Sequence, residues 1–489
     1  MSFISIQFIL FVPIVFLLYW FAAGSNVKLQ NIVLLFASYV FYAWWDYKFL
    51  FLLFFVSFCN YLIGIRIGSN KRKKNIWLVL GLCINITTLV FFKYYNFFIE
   101  SFNDLISLTG YSVPVKTLNI ILPLGISFYT FIGISYIADI YKGKMRAEKN
   151  IINVLLTLSF FPIILAGPIQ RPFNLLPQIK KLRIFHYSRA VDGMRQILWG
   201  FFAKIVIADN LGITVDKIFS GYHDYSGSML FLGAVFFTIQ IYADFSGYSN
   251  IAIGTAKLFD IELMRNFAYP YFSRNISDFW KRWHISLTTW FRDYVFLPVS
   301  FFLSRKIRKE KIIFIKTNLL IYILGSAVTW FLTGLWHGAN YTFIVWGMFH
   351  GCFLVFYQWQ RKPRKRLLKK INIKYNNILL KSVDTGLTLI VVTLTWIFFR
   401  AESLHKAIRY IDGIFSISLF SIPEIFPTKI LLLVFIFTLT EWLQRDKQHA
   451  LQFDKVALPK VVRWAVYYGI IILLIKFCGN QQEFIYLQF

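Results

Sequence analysis

The feature that most constrains this chain is the recurrence of apolar runs long enough to cross a bilayer. They fall at about 3–23, 29–45, 49–67, 76–92, 118–140, 191–208, 228–246, 318–336, 341–358, 385–399, 429–443 and 461–478. An α-helix rises 1.5 Å per residue, so about 20 apolar residues span a hydrocarbon core of about 30 Å. Twelve such runs in 489 residues leave no room for a soluble domain, and the intervening polar stretches are short. Of the residues, 57% are hydrophobic and only 15% are charged, well below the quarter or so usual in soluble domains. The expected fold is all-α: a polytopic transmembrane bundle of about 11–13 spanning helices with re-entrant and amphipathic segments. The chain reads as one membrane domain, with N-terminal helices over 1–150, a core over 151–360 and C-terminal helices over 361–489. Phe3–Ala23 has no positive region before it and exceeds a signal-peptide core in length, so it reads as a retained first helix.

The net charge is +29, from 52 Lys and Arg against 23 Asp and Glu. The basic residues cluster in short loops: Lys71–Lys74, Arg305–Lys311 and Arg361–Lys370. This is the pattern of cytoplasmic loops, which hold Lys and Arg beside anionic lipid heads. It makes membrane lipid the expected partner of the excess charge and argues against nucleic acid. With Lys71–Lys74 cytoplasmic, the basic loop Lys142–Arg146 also falls on that side. The run Ile151–Ile169 breaks the alternation, because both its flanks are basic and it contains Pro162, Gly167 and Pro168. It is expected to re-enter on the cytoplasmic side; a kinked spanning helix is the other reading. Cys59, Cys83, Cys352 and Cys478 have neither CxxC nor metal-ligand spacing and read as buried, inert thiols, and no metal is expected.

Three segments carry polar residues where bilayer helices rarely do. In the first, the basic loops 305–316 and 361–374 bracket the runs 318–336 and 341–358. The turn Trp336-His337-Gly338-Ala339-Asn340 then sits away from the cytoplasm, at the apex of a helical hairpin. An imidazole there can take a proton from a hydroxyl and return one to a leaving group, or it can simply bridge helices. Gly338 permits close approach of substrate or of another helix. His350 lies 13 residues on, about 20 Å along a continuous helix, too far to pair with His337 without a fold-back.

The second segment is 274–294. Asn275 or Ser277 can cap a helix whose stripe is Phe279, Trp283, Leu287, Trp290 and Tyr294, with His284 on the adjoining stripe beside Trp280, Thr288 and Phe291. It reads either as an interfacial helix or as the lining of a pocket, with Arg282 and Arg292 available to anionic groups. The third is Gln240–Asn250, where Asp244 ends an apolar run among small polar residues. That pattern suggests an unwound stretch in which Asp244 orients a histidine, pairs with an arginine or serves structure alone. No GxSxG, Walker A or HExxH motif is present.

Taken together these residues resemble the membrane-bound O-acyltransferase (MBOAT) family. The matching stretches are Phe161-Pro162 with Ala166–Arg171, Gln240–Tyr248, Asp278–Leu287, Trp290–Tyr294, Leu332–Ala339 and the closing Phe484–Phe489. The resemblance is to the bacterial polysaccharide branch of the alginate O-acetyltransferase type, with D-alanine–teichoic-acid transferases as cousins. Ala243 and Asn250 depart from the common pattern, where a larger residue and an aspartate are frequent.

The resemblance implies an O-acyltransferase in the bacterial inner membrane, with a tunnel through the bundle. It implies acyl-CoA, most simply acetyl-CoA, as donor substrate and no permanently bound cofactor. The acceptor is a polysaccharide or a periplasmic or extracellular acetyltransferase partner, in alginate-type O-acetylation. A lipid, peptidoglycan or teichoic-acid acceptor stays open, as does a sugar or lipid transporter. His337 maps to the family's essential histidine and His284 to its companion. Trp336, Asp244, Arg282, Trp283, Arg292 and Asn340 are the candidate substrate-binding residues.

Overall fold

The computed structural model describes residues 1–70, 72–110, 117–165, 167–312, 315–374, 376–453, 458–479 and 482–485. Lys71, Ala166 and Tyr486–Phe489 lie outside the described residues. Each of the twelve apolar runs contains a helix, although in the run 118–140 it begins only at Ile126. Among the described residues, six helices are long and apolar enough to cross a membrane: Lys48–Ser69, Lys74–Ser107, Tyr187–Ser220, Gly227–Leu258, Thr317–His337 and Ile378–Arg400. Beyond the helices, the described residues hold one two-stranded hairpin, Lys311–Ile312 with Ile315–Lys316. The all-α bundle follows from the bilayer argument: with no water to satisfy backbone groups, only internally bonded helices are stable there.

The described residues form two compact units, Met1–Trp199 with Tyr248–Met264, and Gly200–Gly247 with Arg265–Phe489. The first contains α1 (Ile6–Leu17), α2 (Val27–Ala43), α3 (Lys48–Ser69), α4 (Lys74–Ser107), α5 (Ile126–Tyr141), α6 (Ile151–Ser159), α7 (Phe161–Ile164), α8 (Pro172–Lys180) and most of α9 (Tyr187–Phe201). Helices α3, α4 and α5 pack together around a pair of buried amides. Asn60 and Asn85 exchange hydrogen bonds of 3.0 and 3.2 Å, and each also bonds a carbonyl of its own helix. Such polar glue holds helices whose apolar sides are equally at ease in lipid.

The segment 151–169 is broken, as its proline requires. Helix α6 has nine residues, about 14 Å, half the depth of a bilayer core. The chain turns at Phe160, and the Phe161 N–H bonds Ser38 Oγ at 3.0 Å. Phe160–Ile164 is fully enclosed by protein, which is what irregular backbone at membrane depth needs. In the same unit a buried network joins Asn31 to Asn153 (3.0 Å), Arg183 to Asn31 (2.5 Å) and Arg183 to Gln30 (3.3 Å).

The second unit begins at Gly200 and holds a π-type turn over Phe202–Ala208, then α10 (Asp209–Ser220) and the first two-thirds of α11 (Gly227–Leu258). It continues with α12 (Ile276–Arg282), α13 (Ile285–Phe291), α14 (Leu297–Lys306), α15 (Thr317–His337), α16 (Tyr341–Lys370), α17 (Ile378–Arg400), α18 (Leu404–Ile414), α19 (Thr428–Leu443) and α20 (Lys460–Phe477).

Two expectations are corrected here. Gln240–Asn250 is not unwound, since α11 runs through it without a break. Its small residues serve packing: a Cβ at Gly247 would lie 2.8 Å from the Gly200 carbonyl and 3.1 Å from Lys204. The cysteines are not buried in protein either. Cys83, Cys352 and Cys478 are exposed and Cys59 is half-buried. Apolar context does not separate the two cases, because a lipid-facing surface is as apolar as a core.

Candidate active site

The site is built from α11, the loop before α12, the α12–α13 junction, and the helices α15, α16 and α17. Helices α15 and α16 form the expected hairpin. Their crossing is set by glycines: a Cβ at Gly347 would stand 3.0 Å from the Gly334 backbone, and one at Gly351 would stand 3.1 Å from Trp330. His337 is the last residue of α15, and Asn340 starts α16 by accepting the Thr342 N–H at 2.9 Å. The Asn340 amide also donates to the Glu402 carbonyl at 2.9 Å, so this side chain fixes the apex. Gly338 is needed because a Cβ there would strike the ring of Phe343. The close approach it permits is therefore by the hairpin's own phenyl ring.

His337 is buried (3% exposed), with its ring edge-on to Trp346 (4.9 Å), Phe399 (5.1 Å) and its neighbour Trp336 (4.9 Å). The indole of Trp336 also lies 5.8 Å from the ring of His284. Two histidines 53 residues apart in the sequence thus share one indole. His284 is fully buried, 4.6 Å edge-on from Phe245 and parallel to Phe267 at 6.4 Å. Trp283 packs behind it, against Phe267 (5.0 Å), Phe279 (5.5 Å) and Trp396 (5.0 Å).

His284 reaches this place through a break that periodicity hides. The stripe over 275–294 implies one helix, capped by Asn275, and Asn275 does accept the Asp278 N–H at 2.9 Å. The helix stops at Arg282, however. Trp283 is extended and His284 is left-handed, at φ 43° and ψ 52°. A non-glycine residue in that region costs of order 1–3 kcal/mol and persists only where its surroundings enforce it. The loop before α12 does so from both sides. Ala268 N–H bonds the Arg282 carbonyl (2.9 Å), and Ile285 N–H bonds the Asn266 carbonyl (2.9 Å). Ser286 Oγ donates to Asn266 Oδ1 (2.9 Å). The kink replaces a surface stripe with a histidine aimed into the core.

The remaining candidates are more dispersed. Arg282 is partly exposed, pairs with Asp278 at 3.1 Å and reaches the Ala268 carbonyl. Arg292 is 60% exposed and pairs with Asp293 at 2.8 Å. Asp244 meets neither a histidine nor an arginine. Its partner is Lys204, 2.8 Å away and 1% exposed, which also holds Asp209 at 2.6 Å. Lys204 went unread in the sequence, although a lysine inside the apolar run 191–208 is a signal in its own right. Asn266, Trp396 and Phe399 offered no such signal, because their contacts exist only in the folded unit.

His350 is a different kind of buried histidine. Trp280 Nε1–H donates to its Nδ1 at 3.2 Å, and its Nε2 lies 3.1 Å from Thr395 Oγ1. The Thr395 hydroxyl donates to the Val392 carbonyl at 2.8 Å. The imidazole therefore carries its proton on Nε2, and its two nitrogens tie α12, α16 and α17 together.

Comparison with known proteins agrees with this architecture. The model of the membrane-bound O-acyltransferase family matches residues 142–399. The chain is 36% identical over 419 residues to the probable alginate O-acetylase AlgI of Pseudomonas aeruginosa, covering 85% of this chain and 75% of that protein. It is 31% identical over 433 residues to the peptidoglycan O-acetyltransferase of Helicobacter pylori, covering 82% and 77%. It is 30% identical over 252 residues to the teichoic acid D-alanyltransferase of Bacillus subtilis, covering 51% and 62%. A multi-pass helical bundle, a family match across its histidine-bearing core and relatives of this length together establish that the chain belongs to the membrane-bound O-acyltransferase family, in the branch of the alginate O-acetylases, and is an O-acyltransferase.

Proposed function

We propose that the protein, seated in the bacterial inner membrane, transfers an acetyl group from cytoplasmic acetyl-CoA to a hydroxyl for O-acetylation of an exported or envelope polysaccharide. The observation that carries this reading is the pair of buried histidines, His337 and His284, set against one indole within an aromatic enclosure. Such an enclosure excludes the water that would hydrolyse a thioester. Donor and acceptor reach it along a tunnel from opposite faces.

His337 acts as general base. It takes the proton of the acceptor hydroxyl as the oxygen attacks the thioester carbonyl. The tetrahedral oxyanion is stabilised by His284. Collapse breaks the carbon–sulfur bond, and the imidazolium of His337 returns its proton to the CoA thiolate. Trp336 walls the acyl position and Trp283 supports the neighbouring His284, while Arg282 and Arg292 meet the donor's phosphates. Asn340 serves by fixing the hairpin apex, and Asp244 serves through Lys204. An envelope acetyltransferase partner takes the group onward to the polymer. The alginate O-acetylase relatives favour a polysaccharide acceptor; the peptidoglycan O-acetyltransferase relative supplies the second reading.

The test is His337→Ala, assayed as transfer from labelled acetyl-CoA and as O-acetyl content of the envelope polymer. Removal of a general base lowers the rate by about 10²–10⁴. Wild-type acetylation at normal protein abundance overturns the assignment. A protein that never consumes thioester would instead fit a transporter.

A further inference from the structure

From the buried ion cluster beneath His284 we infer that residues 482–485 form an internal wedge, latched by Lys204 and Asp244, that positions His284 for transfer. Lys204 Nζ contacts Asp209 Oδ1 at 2.6 Å, Asp244 Oδ1 at 2.8 Å and the Gln482 carbonyl at 2.9 Å. Asp244 Oδ2 in turn accepts the Ile485 N–H at 2.8 Å. One lysine and one carboxylate, both almost wholly buried, thus grip the segment by its backbone at two points three residues apart. The grip is independent of side-chain identity at Gln482 and Ile485, so it fixes position rather than reading sequence. The segment packs beside α10, where a Cβ at Gly212 would be in van der Waals contact with Gln482 Cγ at 3.4 Å.

Between the two grips the segment carries Phe484, 1% exposed, whose ring lies 5.7 Å from Phe245. Phe245 lies 4.6 Å from His284. Asp244 and Phe245 are neighbours on α11, so the carboxylate that pins the segment and the ring that bears on His284 move as one piece. The left-handed backbone of His284 aims its ring, and the edge-to-face row Phe484–Phe245–His284 limits how far the ring can retreat from Trp336. Phe484, Asp244 and Lys204 are positioning residues, with no contact to reactants. The inference rests on the proposed role of His284, but one arm of its test does not use activity.

The experiment uses the full-length protein in lipid nanodiscs. Release of CoA thiol from acetyl-CoA, with an oligosaccharide supplying the acceptor hydroxyl, gives kcat and KM, and carbethoxylation of each histidine is followed by mass spectrometry. For Phe484→Ala, kcat is expected to fall about tenfold with the acetyl-CoA KM little changed, as misplacement of a catalytic group would give. Labelling of His284 should accelerate while His350 stays protected. Phe484→Leu, which refills most of the space, should recover much of both. Ile485→Pro removes the N–H that Asp244 accepts, together with the isoleucine side chain, and should reproduce the Phe484→Ala signature, so the proposal stays testable if one variant folds poorly. Wild-type kcat with unaltered His284 labelling overturns the inference, and so does equal acceleration at His284 and His350, which would mean general loosening. His337→Ala run alongside separates the two proposals. Full turnover in that variant defeats the functional reading, whereas a silent Phe484→Ala beside an inactive His337→Ala defeats only the wedge.

Discussion

His350 and His337 sit on facing helices of one hairpin, both buried, and differ in what surrounds their nitrogens and rings. His350 lies mid-helix, and its Nδ1 and Nε2 are engaged by Trp280 and Thr395 on two other helices. His337 lies at the apex, ringed by Trp336, Trp346 and Phe399, next to the indole it shares with His284. Any ionisable residue inside a bilayer invites a functional reading. The difference teaches that such a residue can instead be a rivet: both nitrogens of His350 are spent on tying three helices together.

Four substitutions test that distinction, in order of expected effect. His337→Ala should lower transfer by about 10²–10⁴ at a stability cost limited to the cavity it leaves, smaller than that of His350→Ala. A large loss of stability instead would place His337 with His350. His350→Ala should do the reverse, destabilising by about 2–4 kcal/mol through a cavity and the unpaired Trp280 Nε1–H. Its activity per folded molecule should be nearly retained, as read by thermal unfolding alongside transfer. Asn266→Ala removes the acceptor of Ser286 Oγ but leaves the backbone bond to Ile285. We expect about 1–2 kcal/mol of destabilisation and a fall in kcat from a loosened His284, with partial recovery in Asn266→Asp; an unchanged kcat would mean that the backbone alone holds the kink.

Glu148, in the other unit, gives the smallest effect and the contrast of a carboxylate at the water's edge. Burial raises its pKa, but Lys180 at 2.8 Å and the Asn150 N–H at 2.9 Å outweigh that and leave it below the ordinary value. Its stabilisation is therefore present above the unfolded carboxyl range and lost as pH falls through the folded value. Glu148→Gln should cost about 0.5–1 kcal/mol at neutral pH and flatten the acid limb of the stability curve. An acid limb identical to wild type would show the pair to be idle.

Much of this was legible before folding. Spans of membrane length fixed the all-α bundle, and basic loops on both sides of 318–358 located a hairpin with His337 at its apex. Pro162 marked the broken segment. Legibility failed at the α12–α13 junction, where a continuous apolar stripe implies one helix. The stripe reports which residues are apolar, but the left-handed turn at His284 is imposed by backbone bonds from Asn266 and Ala268. It failed also at Asp244, whose partner Lys204 lies 40 residues away on another helix.

What the sequence alone determined is therefore what depends on solvent: which segments leave water, where charge stays behind, and that a histidine stands at one turn. These are properties of single residues and their periodicity. Which buried histidine is riveted, which shares an indole with His284, and which carboxylate meets a lysine were decided only by tertiary structure. Each is a contact between distant helices, and in a chain that is apolar almost throughout, hydrophobicity cannot say which faces will meet.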